Sequence, residues 1–165
     1  MKLQTITCMV ALLGAGFTAS CLAQEWVTTP VENLKTVQGL LQIDQLGEDG
    51  YRISVDGHFI AEIGAYSVHI SSGLASANSI EYVLLDLSTG GGSCPNLFRI
   101  LDLTPGRKPY LTGEFGNCSD APDFSMRSEN VMIGFSDAQD YNAKTFIYDT
   151  QHRHINSIRN EKAAL

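Results

Sequence analysis

The sequence predicts an all-β protein: an antiparallel sandwich, a barrel or a propeller-like stack of short strands, with one disulfide. Three observations carry that expectation. No segment sustains an apolar period near 3.6 residues, so amphipathic helices are not indicated. Turn signals rich in Gly, Asn, Asp and Pro return roughly every eight to twelve residues. Between them lie short runs of Val, Ile, Leu, Tyr and Phe, residue types that fit a pleated, half-buried surface.

Met1 to Ala23 reads as a secretory signal peptide. Lys2 supplies the early positive charge, Ile6 to Phe17 the apolar core, and Cys21 and Ala23 the small residues at the two positions a signal peptidase inspects, which places the cut after Ala23. The core is shorter than the roughly 20 apolar residues of a bilayer span, and Gly14 and Gly16 interrupt it. Thr18 stands where a lipoprotein signal carries an aliphatic residue, which argues against lipidation at Cys21. Removing 23 of 165 residues leaves 142, enough for a single antiparallel β domain over 24–165 with a real core.

The domain opens with a mixed lead-in, Glu25 to Gln38, in which Val31 to Val37 suggests a short helical turn. Leu40 to Gln45 is a strand closed by Gly47-Glu48-Asp49-Gly50. Tyr51 to Val55 alternates cleanly, Asp56-Gly57 is a two-residue hairpin turn of the kind that takes positive φ, and His58 to Ile63 returns. That turn sets Val55 against His58, Ile53 against Ile60 and Tyr51 against Glu62, with His58 near solvent. Tyr66 to Ile70 is a short alternating strand, and Ser71 to Ser79 reads as a loop of small residues.

Ile80 to Leu87 is apolar almost throughout, as expected of a central strand covered on both faces. A glycine-rich connection, Ser88 to Asn96, leads to Leu97 to Leu103, and a Pro/Gly/Lys turn leads to Pro109 to Thr112. Phe124 to Met126, Val131 to Phe135, Thr145 to Tyr148 and Arg153 to Ile158 complete the strands, with a polar loop at Ser136 to Ala143 and a charged tail at Arg159 to Leu165. Tyr51 to Ile63, Tyr82 to Thr112 and Val131 to Tyr148 look like related strand-turn-strand units. Their spacing is too uneven for a sequence repeat.

Cys8 and Cys21 leave with the signal, so the mature chain keeps Cys94 and Cys118. In an oxidising compartment such a pair is expected to be a disulfide, which on the chain-entropy argument contributes roughly 3.5 kcal/mol. A nucleophilic role for Cys94 would need a base nearby, and no histidine is close in sequence. The motifs around the pair, Gly91-Gly92-Ser93-Cys94-Pro95 and Phe115-Gly116-Asn117-Cys118-Ser119-Asp120, resemble those of a group of small exported proteobacterial proteins with no assigned activity. The resemblance implies a β fold and export, and carries no catalytic residues over. The general profile of a small, acidic, exported β protein also fits periplasmic immunity proteins and lysozyme inhibitors.

Ten basic residues face 18 acidic ones after the signal is removed, a net charge of −8. That disfavours nucleic acid and anionic membrane surfaces as partners and favours a basic protein. No Gly-x-Ser-x-Gly elbow, Ser-x-x-Lys, Walker A, Gly-x-Gly-x-x-Gly or His-Glu-x-x-His motif is present. Gly90 to Gly92 cannot act as a phosphate cradle, because Cys-Pro and a strand follow where a helix would have to start.

Three weaker constellations remain. His152 and His154 would share a strand face and meet His58 or His69 only if the fold collects them. Asp137, Asp140 and Asn142 in one loop, and Asn117, Asp120 and Asp123 in another, offer oxygen ligands suited to calcium, but neither has EF-hand spacing. Asn117-Cys118-Ser119 matches a glycosylation sequon by chance. The expected function is therefore non-catalytic, with no metal and no cofactor. An exported, periplasmic inhibitor or immunity protein would block a partner with the clamped loop at Gly91, Gly92, Ser93 and Asn96. The alternatives are a small envelope hydrolase working through Glu62, Glu81, Asp86 or Asp102, or a purely structural envelope protein. Asp86 and Asp102 are expected to face outward or cap strand ends, and the sequence leaves the oligomeric state open.

Overall fold

The computed structural model describes residues 29–76, 78–92, 94, 96–118, 122–135 and 144–159. Among these residues twelve antiparallel strands form three separate four-stranded sheets, with no helix and no closed barrel. The first sheet holds β1 (Thr29–Thr36), β2 (Gly39–Gln45), β3 (Gly50–Val55) and β4 (His58–Gly64). The second holds β5 (Ser67–Ser76), β6 (Ser79–Ser88), β7 (Asn96–Asp102) and β8 (Tyr110–Leu111). The third holds β9 (Pro122–Arg127), β10 (Asn130–Phe135), β11 (Lys144–Asp149) and β12 (His154–Arg159). Every sheet is a simple meander in which each strand pairs with the one before it.

The sheets stack, with the second in the middle. Side chains alternate between the two faces of a strand, and β6 uses both. Val83, Leu85 and Leu87 pack with Leu41, Ile43, Ile53 and Val55 of the first sheet. Tyr82 and Leu84, with Phe98 and Ile100 of β7, pack with Val131, Ile133, Phe135 and Tyr148 of the third. This double coverage is why Ile80 to Leu87 reads as a nearly continuous apolar run. A strand buried on one face only would show polar residues at every second position.

Several expectations need correction. Val31 to Val37 holds no helical turn. Thr29–Thr36 is an edge strand, bulged between Pro30 and Glu32, and its pairing with β2 overrides the weak local preference. The Glu32 carboxylate fixes it to the second sheet by accepting the Ile70 N–H at 2.6 Å and meeting His69 Nδ1 at 2.8 Å. Ser71 to Ser79 is not simply a loop either, because β5 continues to Ser76 with two bulges. Its small residues lie along an edge strand, where little packing is asked of them.

In the β3–β4 hairpin the turn is as expected, with positive φ at Asp56 and Gly57 and Val55 opposite His58. Beyond it a bulge shifts the register, so Ile53 faces Ala61 and Tyr51 faces Ile63. Without that extra residue Glu62 would point into the core beside Tyr51. With it, Ile63 is buried and Glu62 pairs with Arg52 on the solvent side at 3.3 Å. The repeating unit is the whole four-stranded meander, not the shorter units suggested by the sequence.

The two connections between sheets differ. Ala65 and Tyr66 alone join the first sheet to the second, held by Ala65 N–H to the Asp49 carbonyl at 3.1 Å and Tyr66 N–H to the Ser88 carbonyl at 3.0 Å. From the second to the third the path is longer. Phe115 bridges back to Phe98 of β7, and Cys118 is bonded to Cys94 with Cα atoms 4.6 Å apart, as the cysteine count predicted.

Candidate functional site

The β6–β7 connection leaves the middle sheet as a short protrusion whose base is the Ser88–Asn96 pair. Local hydrogen bonds shape it. Thr89 Oγ1 donates to the Cys94 carbonyl at 2.6 Å and accepts the Gly91 N–H at 3.3 Å, while Ser88 Oγ accepts the Gly90 N–H at 3.3 Å. Short hydroxyl side chains favour such turns because they satisfy nearby backbone groups without long side-chain loss. The disulfide then ties Cys94 to the segment that leads to the third sheet.

Of the residues expected to bind, Gly91 and Gly92 are exposed on this protrusion, Asn96 is half-buried at its base, and Ser93 lies outside the described residues. A Cβ added at Gly92 would meet nothing within 4 Å. Gly90 is different: its φ is 71°, and a Cβ there would come within 3.3 Å of the Tyr66 side chain.

Tyr66 is the residue that sequence reasoning missed. It was expected only to begin a strand. Instead it stands 68% exposed beside Gly90, on a backbone pinned by Ser88 and by the Tyr51 hydroxyl, which donates to its carbonyl at 3.2 Å. Tyr51 and Ile63 also line a hollow of roughly 420 Å³ with Leu46. An exposed tyrosine on a pinned backbone is the kind of anchor on which protein interfaces concentrate their affinity. The sequence marks it only as the first residue of the strand expected over Tyr66 to Ile70, which in the structure begins at Ser67.

A second feature lies between the middle and third sheets. Asp102 is fully buried, contrary to the expectation that it faces outward or caps a strand end. Its Oδ1 accepts the Thr104 N–H at 2.9 Å and the Thr104 hydroxyl at 2.7 Å. Its Oδ2 accepts the Tyr148 hydroxyl at 2.8 Å and Arg153 Nε at 3.2 Å. Burial, and then the hydrogen bond to Asp102, raise the Tyr148 phenol well above the ordinary tyrosine range.

Arg153 is presented by the β11–β12 turn with a left-handed φ of 55°. That turn is built on Asp149, whose carboxylate accepts the backbone N–H groups of Gln151 and His152 at 2.9 Å each and meets His152 Nδ1 at 2.8 Å. The backbone bond from His152 is the largest cause of its lowered pKa. The Arg153 guanidinium also donates to the Lys108 carbonyl at 2.9 Å and lies 5.2 Å from the centre of the Tyr110 ring.

Asp86 and Asp102, considered for hydrolysis, are not gathered into a pair. Asp86 lies opposite Phe98 and Asp102 opposite Tyr82, so they stand four residues apart along one face, roughly 13 Å at strand rise. The buried Leu84 and Ile100 pair lies between them. Carboxylate pairs in glycosidases are at most about 9.5 Å apart. Glu62 is engaged with Arg52 on the first sheet.

The histidines are likewise dispersed: His58 is exposed at its hairpin, His69 meets Glu32 and His152 meets Asp149. Among the described residues no group of three or more His, Cys, Asp or Glu is placed to hold a metal ion. Asp137, Asp140 and Asn142, and Asp120 of the other acidic loop, lie outside the described residues. No helix among those residues is long and apolar enough to cross a membrane. No protein-family model matches the chain, and neither the curated proteins nor the solved structures contain a significant match to it.

Proposed function

We propose that the chain is an exported, non-catalytic binding protein of the cell envelope, an inhibitor or immunity protein. It engages a protein partner through the clamped 88–96 protrusion together with Tyr66. The observation that carries this reading is the anchoring of a short glycine-rich protrusion near its base, with open space around Gly92 at its tip. The disulfide, the Thr89 hydrogen bonds and the contact of Tyr66 with Gly90 all act on one short segment. A loop already held in its bound shape loses little conformational entropy on association, which is what a plug for a partner's cleft requires. Tyr66 supplies apolar area and a hydroxyl with few rotatable bonds.

The disulfide is consistent with an oxidising compartment, and with the signal-like Met1 to Ala23 it supports a periplasmic location. The net charge of −8 after removal of that segment supports a basic partner.

The test is capture of envelope proteins on immobilised wild-type chain, Gly92→Arg and Tyr66→Ala. Gly92 has open space around it, so an arginine there leaves the fold intact while obstructing the tip. The partner retained by the wild type is expected to fall at least about tenfold with each variant, the usual consequence of losing a central interface contact. Equal capture by all three proteins, with unchanged melting curves, would remove this surface from recognition.

A further inference from the structure

The middle and third sheets are packed together through β6, β7, β10 and β11 and stay in contact at the outer strands β5 and β9, but at the opposite outer strands they leave a hollow. There, between β8 with the residues that follow it and β12, lies a cleft of roughly 460 Å³, within the range typical of ligand sites. Phe115 and Phe146, with ring centroids 5.2 Å apart, line it. One end is set by Arg153 against Tyr110.

Lys144 also lines the cleft, and it lies on the same strand face as Phe146 and Tyr148, the face packed toward the middle sheet. The charges of its neighbours are already answered. Glu114 is paired with Arg99 at 2.7 Å, and Arg153 with Asp102. Lys144 has no acidic partner among the described residues.

We propose that this cleft is a second binding site, distinct from the 88–96 protrusion, and that it takes an extended peptide segment of a partner protein with a carboxylate set against Lys144. Two features select an extended peptide. One wall is β12, paired among the described residues with β11 alone, and such an edge accepts an added strand, whereas the other wall is the end of β8 and the irregular chain from Thr112 to Gly116. From Arg153 to Ser157 the β12 wall runs roughly 13 Å, the reach of a short added strand, with Ile155 the apolar side chain among His154, Asn156 and Ser157. The Lys144 ammonium, without an acidic partner among the described residues, selects the acidic side chain.

The wall opposite β12 is fixed before any ligand arrives. Phe115 bridges to Phe98, and the disulfide holds Cys118 two residues beyond Gly116.

The test is panning of a random heptapeptide display library on the full chain, on Lys144→Glu and on Ser157→Arg, an exposed position where arginine would fill the cleft. The wild type is expected to enrich peptides carrying Asp or Glu at one fixed place among β-branched residues. A synthetic peptide of the enriched sequence should bind Lys144→Glu at least about tenfold more weakly, bind Ser157→Arg negligibly, and bind Gly92→Arg as it binds the wild type. The last arm separates this site from the protrusion. Absence of an acidic preference, or equal binding by Lys144→Glu, would overturn the proposal. Sedimentation showing a dimer that Ser157→Arg dissociates would overturn it in favour of a second copy of the chain.

Discussion

Asp102 shows what a single residue contributes that its neighbours in sequence cannot announce. It lies in an apolar strand, and Tyr148 and Arg153, two of its three partner residues, come 46 and 51 residues later. Removing the Tyr148 hydroxyl takes one of four hydrogen bonds from a buried carboxylate. Tyr148→Phe should therefore cost about 1.5–3 kcal/mol in denaturant unfolding at neutral pH. The phenol's pKa is raised in the folded state, so the stability it contributes is complete below the ordinary value of 10.0 and is lost as pH rises above it. The gap between wild type and Tyr148→Phe should accordingly narrow above that pH, and a constant gap would show that the phenol does not titrate with unfolding. Cys94 and Cys118 were legible because the two cysteines outside the signal-like Met1 to Ala23 allow a single pairing. Tyr66 was not, because its significance depends on Gly90 and Tyr51, which only the fold brings to it.

At the level of the element, strands with a strong pattern are legible in the sequence, the edge strands β4, β9 and β12 among them, whereas β1 and the second half of β5 are not. The alternation of Tyr51 to Val55 and the Asp56-Gly57 turn specify a hairpin by themselves. The helical turn expected in β1 and the loop expected in β5 were errors of one kind. Each of these strands has a neighbour on one side only, so its pairing partner and its bulges decide its conformation, not its own residues. The two faces of β6 offer a direct measurement. Leu84 packs toward the third sheet and Leu85 toward the first, and both are fully buried. Alanine at either should cost about 2–5 kcal/mol. Native-state hydrogen exchange should separate them, with Leu84→Ala raising exchange most in β10 and β11 and Leu85→Ala most in β2 and β3. The same loss of protection in both variants would mean that the three sheets open as one unit.

For the whole molecule, the disulfide and the stacking order act together. Two residues join the first and second sheets, but the path from the second to the third is longer and carries the Cys94–Cys118 bond. Replacing both cysteines by serine should lower stability by about 3.5 kcal/mol, the loss expected when a loop of this span is released, and urea titration of the oxidised protein against the variant measures it. A much smaller loss would mean that the segment after Phe115 stays in place without its covalent tie. The stack also has two outermost faces, and the Arg52–Glu62 pair marks one of them as a cap. In a stack of alike layers, a polar outer face of this sort keeps one molecule from adding to the next. Exchanging that pair for leucines would leave one apolar end, and two copies joined through it, read as a doubled mass in sedimentation, are the expected product.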